Sequence, residues 1–257
     1  MKVIGIIPSR YASGRFPGKP LIDIEGKTMI RRVYEQAMKA TSLSEVIVAT
    51  DDERIFNEVK NFGGKVVMTS PAHKNGTERC AEVAQTLDTN VIINIQGDEP
   101  FIQPEQIDLI AKCFSAAAVQ IATLIKQYPL NEELQNAARV KVVIDKNMEA
   151  LYFSRSMIPF IKGDSILHIH GFQHTESPDE DIPANNKKPV FYKHIGLYGY
   201  RKDVLVDIVK LLPSPLELTE SLEQLRWLEY GYRIKCALTD HESLSIDTPA
   251  DLAALRT

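Results

Sequence analysis

The chain has 257 residues, 44% of them hydrophobic, enough to bury a sizeable core as one large domain or two small ones. Its formal net charge of −4 argues against general nucleic-acid binding, which shows as a basic excess. No run of about 18 apolar residues occurs, so neither a membrane span nor membrane insertion is expected. The opening MKVIGIIPSR has one basic residue before a short β-branched run and reads as a first strand, not a signal peptide. The three cysteines, Cys80, Cys113 and Cys236, are widely spaced and odd in number, which suits buried free thiols in a reducing cytoplasm.

Through the first half, apolar β-rich runs alternate with helical patterns. KVIGIIP leads through a loop to TMIRRVYEQAMKA, where Met29, Ile30, Val33, Tyr34 and Ala37 recur at helical spacing. SEVIVAT, the helix candidate ERIFNEVKNF, a stop at Gly63-Gly64 and KVVMT follow, then the helix candidate TERCAEVAQTL and the buried strand NVIINIQ. Continuously apolar strands suit a parallel sheet covered on both faces. The fold class expected is therefore α/β, a Rossmann-like, doubly wound, mostly parallel sheet, with ligands beyond the carboxyl ends of its strands.

From about Gln120 the rhythm changes. VQIATLIKQ, RVKVVID and EALYFSR read as strands with few helices between them, and 162–190 reads as a polar, proline-bearing excursion. KHIGLYGYRKD, a helix to about Leu212, a break at PSPLELT, the helix ESLEQLRWLEYG, the strand RIKCALT and IDTPADLAALR complete the chain. The expectation is a single domain over 1–257, with a smaller β-rich sub-structure in about 120–200.

The loop SRYASGRFPGKPL, directly after the first strand, tests for a phosphate cradle. A Walker A loop needs G-x-x-x-x-G-K-[ST]. Here Gly14 and Gly18 stand one residue too close, and Lys19 is followed by Pro20, which has neither hydroxyl nor backbone N–H. The fingerprint G-x-G-x-x-G is absent as well. Arg10, Arg15 and Lys19 nevertheless concentrate positive charge where the ligand crevice should be, and an anion would relieve their repulsion; a solvated basic loop is the plainer alternative.

PSRYASGRFPGKPL resembles the signature of the 3-deoxy-manno-octulosonate (Kdo) cytidylyltransferases. VATDDERI, NGTERCAEV, INIQGDEPFI, VKVV, ALYFSR, HIGLYGYR, PSPLE, LEQLRWL and DTPADL match that family in order, over about 2–256 apart from 162–190. The resemblance implies a cytoplasmic transferase that moves CMP from CTP to the anomeric hydroxyl of Kdo for lipopolysaccharide biosynthesis. It also implies Mg²⁺ and a homodimer, and 8-amino-Kdo or sialic acid is the alternative acceptor. A silent nucleotide-binding regulator would be expected to lack a metal carboxylate or the loop cations, all of which are present.

The candidate residues are read partly from chemistry and partly from that resemblance. Asp98, at the carboxyl end of an apolar strand in INIQGDEP, is placed to reach a metal ion between phosphate oxygens. The resemblance assigns both Asp98 and Asp247 to metal, although Thr248, Pro249 and Asp251 also read as a capping box beside Asp247. Arg15, Lys19 and Asp98 are the catalytic candidates. Arg10, Lys19, Asn75, Gly76 and Arg79 are those for the nucleotide, with Thr77 open to reading as a helix cap, as is Asp52. For the sugar the resemblance implies Gln96, Arg155, His194, Tyr198, Glu223 and Gln224. Glu223 and Gln224 point roughly 100° apart on a helix, so at least one is open to facing solvent. His168, His170 and His174 suggest no fourth ligand and read as a polar surface loop.

Overall fold

The first strand divides its side chains between two cores: Ile4 and Ile6 pack on one face of the sheet, Val3 and Ile7 on the other. The computed structural model describes residues 1–12, 16–128, 132–160, 190–242, 245–246 and 248–254. The first half runs β1 (Val3–Ser9), a small ribbon of β2 (Asp23–Ile24) and β3 (Lys27–Thr28), α1 (Met29–Ala37), β4 (Glu45–Thr50), α2 (Glu53–Asn61), β5 (Val66–Met68), α3 (Gly76–Gln85), β6 (Val91–Asn94) and α4 (Pro104–Cys113). The second half runs β7 (Ile121–Tyr128), β8 (Lys141–Ile144), β9 (Ala150–Ser154), β10 (Phe191–Arg201), α5 (Lys202–Ile208), α6 (Pro215–Glu220), α7 (Glu223–Glu229), β11 (Ile234–Leu238) and α8 (Pro249–Ala254).

The central sheet has the order β11-β7-β10-β6-β1-β4-β5, with β8 and β9 extending from β10. Strand β1 is parallel to both neighbours, β4 and β6, and β4 is parallel to β5. Only β10 interrupts that direction within the row, pairing antiparallel with β6 and with β7. This is the helix-covered, mostly parallel sheet expected from the apolar runs. The chain moves outward from β1 to β4 and β5, then returns through α3 to β6 on the other side of β1. The carboxyl ends of β1 and β6 therefore flank the point where strand order reverses, where such sheets bind ligands.

Three local expectations are corrected. PSPLELT is a helix, α6: Ser214 and Glu217 form a reciprocal capping box, and Pro215 occupies the first turn, where its missing N–H costs nothing. The next helix begins only at Glu223, because Ser221 takes the left-handed conformation (φ 52°) and turns the chain between α6 and α7. Helix α5 ends at Ile208, short of Leu212. Helix α4 goes beyond the sequence reading; Gln103 and Gln106 cap it, Pro104 starts it, and it buries Ile107 and Ile110 against the sheet. The three cysteines are free thiols, Cys80 and Cys236 buried. No helix among the described residues is long and apolar enough to cross a membrane.

Candidate active site

A cleft of about 300 Å³ opens at the carboxyl ends of β1 and β6. Arg10, Lys19, Asn75, Gly76, Arg79, Gln96 and Asp98 all line it, brought together from separate stretches of sequence. Its floor depends on glycine. A Cβ on Gly97 would lie 3.1 Å from the Pro8 carbonyl oxygen, and one on Gly76 would lie 3.0 Å from Pro8 Cγ. A side chain at either position would crowd Pro8 and force it to shift by a few tenths of an ångström.

Lys19 and Asp98 face each other, with Nζ donating to Oδ2 at 2.7 Å and both side chains partly buried. Gly18 turns the loop through the left-handed region (φ 72°), and Lys19 opens the short 3-10 turn that follows. On the opposite wall is the amino end of α3. The cap there is Asn75, whose Oδ1 accepts from Glu78 N at 2.8 Å. This corrects the expectation for Thr77, whose hydroxyl donates instead to Glu223 Oε2 at 2.7 Å. Asp52 does cap α2, accepting from Arg54 N.

Arg79 enters from the first turn of α3 and is only 3% exposed. A buried cation beside a helix amino terminus meets the positive end of the helix dipole, so it needs a counter-charge. Asp51, one residue beyond β4, supplies it: Nη2 donates to Oδ2 at 2.8 Å, and Nη1 donates to Thr69 Oγ1. The guanidinium is thereby locked at the edge of the cleft.

The remaining sugar candidates lie toward β10 and α7. His194 stacks edge-on to Phe153 with ring centroids 5.1 Å apart, and its Nε2 lies 3.0 Å from Thr123 Oγ1. Burial pushes its pKa down to about 3, so the ring is neutral at pH 7. Tyr198 lies edge-on to Trp227 at 5.2 Å, and burial raises its phenol well above the usual value. Gln224 is buried, whereas Glu223 keeps about 25% of its side chain exposed while binding Asn75 and Arg226 as well as Thr77. Burial raises the Glu223 carboxyl against the opposing pull of Thr77 and Arg226. Arg155 is engaged elsewhere, donating to the carbonyls of Glu220 at 2.7 Å and Ala137 at 3.1 Å. A hollow of about 140 Å³, lined by Glu99, Arg139, Lys193 and His194 among others, lies alongside.

Arg15, Asp247, His168, His170 and His174 lie outside the described residues. Beside Asp247, Thr248 and Asp251 form the expected reciprocal cap, and Ile246 N donates to the Asp98 carbonyl at 3.0 Å. Among the described residues no group of three or more His, Cys, Asp or Glu could hold a metal. Sequence reasoning gave no role to Ser9 or to Asp51. Ser9 lines the cleft with a buried hydroxyl that has no partner among the described residues; its signal was its place at the end of the first strand. Asp51 likewise follows a strand end, but its partner, Arg79, lies on a different element.

A family model described as Cytidylyltransferase matches residues 4–234. A 3-deoxy-manno-octulosonate cytidylyltransferase of Parabacteroides distasonis is 54% identical over 98% of this chain and 96% of its own. One of Bacteroides thetaiotaomicron is 52% identical over the same shares. Among solved structures, CMP:2-keto-3-deoxy-manno-octonic acid synthetase complexed with CTP superposes with a TM-score of 0.86 at 39% identity, covering 100% of this chain and 97% of that one.

Proposed function

This chain belongs to the cytidylyltransferase family, and on that premise we propose that it transfers CMP from CTP to 3-deoxy-manno-octulosonate. The anomeric hydroxyl of the sugar attacks the α-phosphorus in line; a new P–O bond forms as the bond to pyrophosphate breaks. The observation that carries this reading is the single cleft joining Arg10, Lys19 and Asp98 to the amino end of α3. The cations suit a triphosphate, and the amino end of α3 offers polar groups to the base.

Lys19 and Arg10 hold phosphate oxygens, with Lys19 exchanging Asp98 for the nucleotide. Arg79, braced by Asp51, and the backbone around Asn75 and Gly76 hold the base. Gln96, His194, Tyr198 and Glu223 orient the sugar, with His194 neutral. Catalysis comes from positioning and charge stabilisation, and no covalent enzyme intermediate is required. Asp98 and Asp247 are the residues that would hold Mg²⁺. The donor set fits, because Mg²⁺ keeps several waters and binds through one or two carboxylates plus substrate phosphates instead of a protein cage. Held there, Mg²⁺ would supply charge to lower the pKa of the attacking hydroxyl and to offset charge on the leaving oxygen. Free thiols support a cytoplasmic setting. The homodimer implied by the family resemblance would form through the second-half extension.

Pyrophosphate release, measured with each nucleoside triphosphate against Kdo, 8-amino-Kdo and sialic acid, tests the assignment. CTP with Kdo is expected to be fastest. Release with no acid sugar, or faster release with another pair, would overturn it.

A further inference from the structure

Glu223 stands on the first turn of α7 among the residues assigned to the sugar, yet its bonds run toward the nucleotide. Oε1 accepts from Asn75 Nδ2 and from Arg226 Nη2, each at 3.0 Å, and Oε2 accepts from Thr77 Oγ1 at 2.7 Å. Asn75 lines the cleft and caps α3, and Thr77 is buried in the first turn of the same helix. One carboxylate thus fastens the amino end of α3 to α7.

The side-chain chemistry makes this fastening directional. Glu78 N can be satisfied only by the amide oxygen of Asn75, which leaves the NH₂ for Glu223. A carboxylate at position 223 therefore fixes the orientation of the Asn75 amide. The hydroxyl of Thr77 is committed in the same way. Three donors converge on two oxygens, and an amide in place of the carboxylate offers one oxygen and turns an NH₂ toward at least one of those donors.

We infer that Glu223 is a positioning residue for the nucleotide subsite, acting through Asn75 and Thr77, and that through it nucleotide and sugar binding are coupled. This rests on the CTP and Kdo reading above. A sugar hydroxyl bonded to the same carboxylate changes how firmly Asn75 and Thr77 are held, and linkage makes that effect reciprocal.

The test is CTP binding at equilibrium with no sugar present, by calorimetry on the full chain with Mg²⁺. Glu223→Gln is expected to weaken CTP about tenfold, the loss of roughly one hydrogen bond to a charged group. Asn75→Ala is expected to weaken it comparably, and the double variant to be no worse than about twofold beyond the weaker single. Thr77→Val, which removes one donor and leaves the carboxylate in place, is expected to weaken CTP about threefold and covers the case in which Glu223→Gln does not fold. The measurement is repeated with a sugar analogue lacking the attacking hydroxyl. The wild-type chain is expected to change its CTP affinity severalfold, and Glu223→Gln to show no change; a merely loosened fold would keep the ratio.

Wild-type CTP affinity in folded Glu223→Gln, with only the sugar KM raised, would overturn the inference. So would additive losses in the double variant or a Thr77→Val chain that binds CTP normally. A wild-type chain that binds no CTP would overturn the parent reading, a different failure.

Discussion

The cleft at the end of β1 and the region around β10 and α7 treat their polar groups in opposite ways. In the cleft, Arg10 is exposed, and Lys19 and Asp98 keep part of their surface open to solvent and to an incoming anion. Around β10 and α7, Gln224 is buried, Tyr198 is buried against Trp227 and Tyr200, His194 is half-buried against Phe153, and Arg155 is spent on backbone carbonyls. Charge that must exchange partners during a reaction belongs near water. Side chains that only orient the hydroxyls of a ligand can be locked by burial.

The strongest way to break that contrast is Asp98→Ala, for which turnover is expected to fall about 10³-fold or more, since a charge-stabilising group is lost from the reacting centre. Its melting temperature should stay close to wild type; near-normal pyrophosphate release would remove Asp98 from the machinery. On the other side, Trp227→Ala empties a site only 1% exposed and should cost about 4 kcal/mol in urea unfolding. A loss under about 1 kcal/mol would mean that the enclosure around Tyr198 is loose.

Asp51→Asn sharpens the comparison, because the ion pair it breaks lies beside the cleft but is built like the buried region. The expected cost is about 2 kcal/mol, less than for a fully buried pair because Asp51 is one-fifth exposed. The KM for CTP should rise with it, and a stability loss at unchanged KM would make the Asp51–Arg79 pair purely structural.

The last effect is absent at neutral pH and grows only in acid. Desolvation lets the His194 ring take up a proton only near pH 3, whereas the unfolded chain does so near 6.5. The unfolded state thus binds the extra proton in that window, and stability is full above it and lost as pH falls. The slope for one such group is about 1.4 kcal/mol per pH unit. His194→Gln should flatten the acid limb between about pH 6 and 4; an unchanged limb would place the proton uptake on another group.

Much of the cleft was legible because its parts are local. The basic loop follows a strand directly, Asp98 sits one bend past another strand, and Asn75 and Gly76 open a helix; periodicity locates each of these ends. The buried region was less legible. Adjacent Glu223 and Gln224 pointed different ways on a bare helix, and nothing in LEQLR shows that Glu223 would bond to the amino end of α3 or that Gln224 would be buried. PSPLELT looked like a break because two prolines weigh heavily in a short window, yet Ser214 turned the second one into a helix start.

By itself, the sequence determined the strand–helix alternation, the family, and where cations and carboxylates meet strand ends, because these depend on neighbours along the chain. The tertiary structure alone decided which partner each charge takes: Asp98 for Lys19, Asp51 for Arg79, Asn75 and Thr77 for Glu223, and backbone carbonyls for Arg155. Those pairings join residues far apart in the chain. They are selected by desolvation once the sheet and helices have packed, since a buried charge must take whatever complementary group the fold brings within reach.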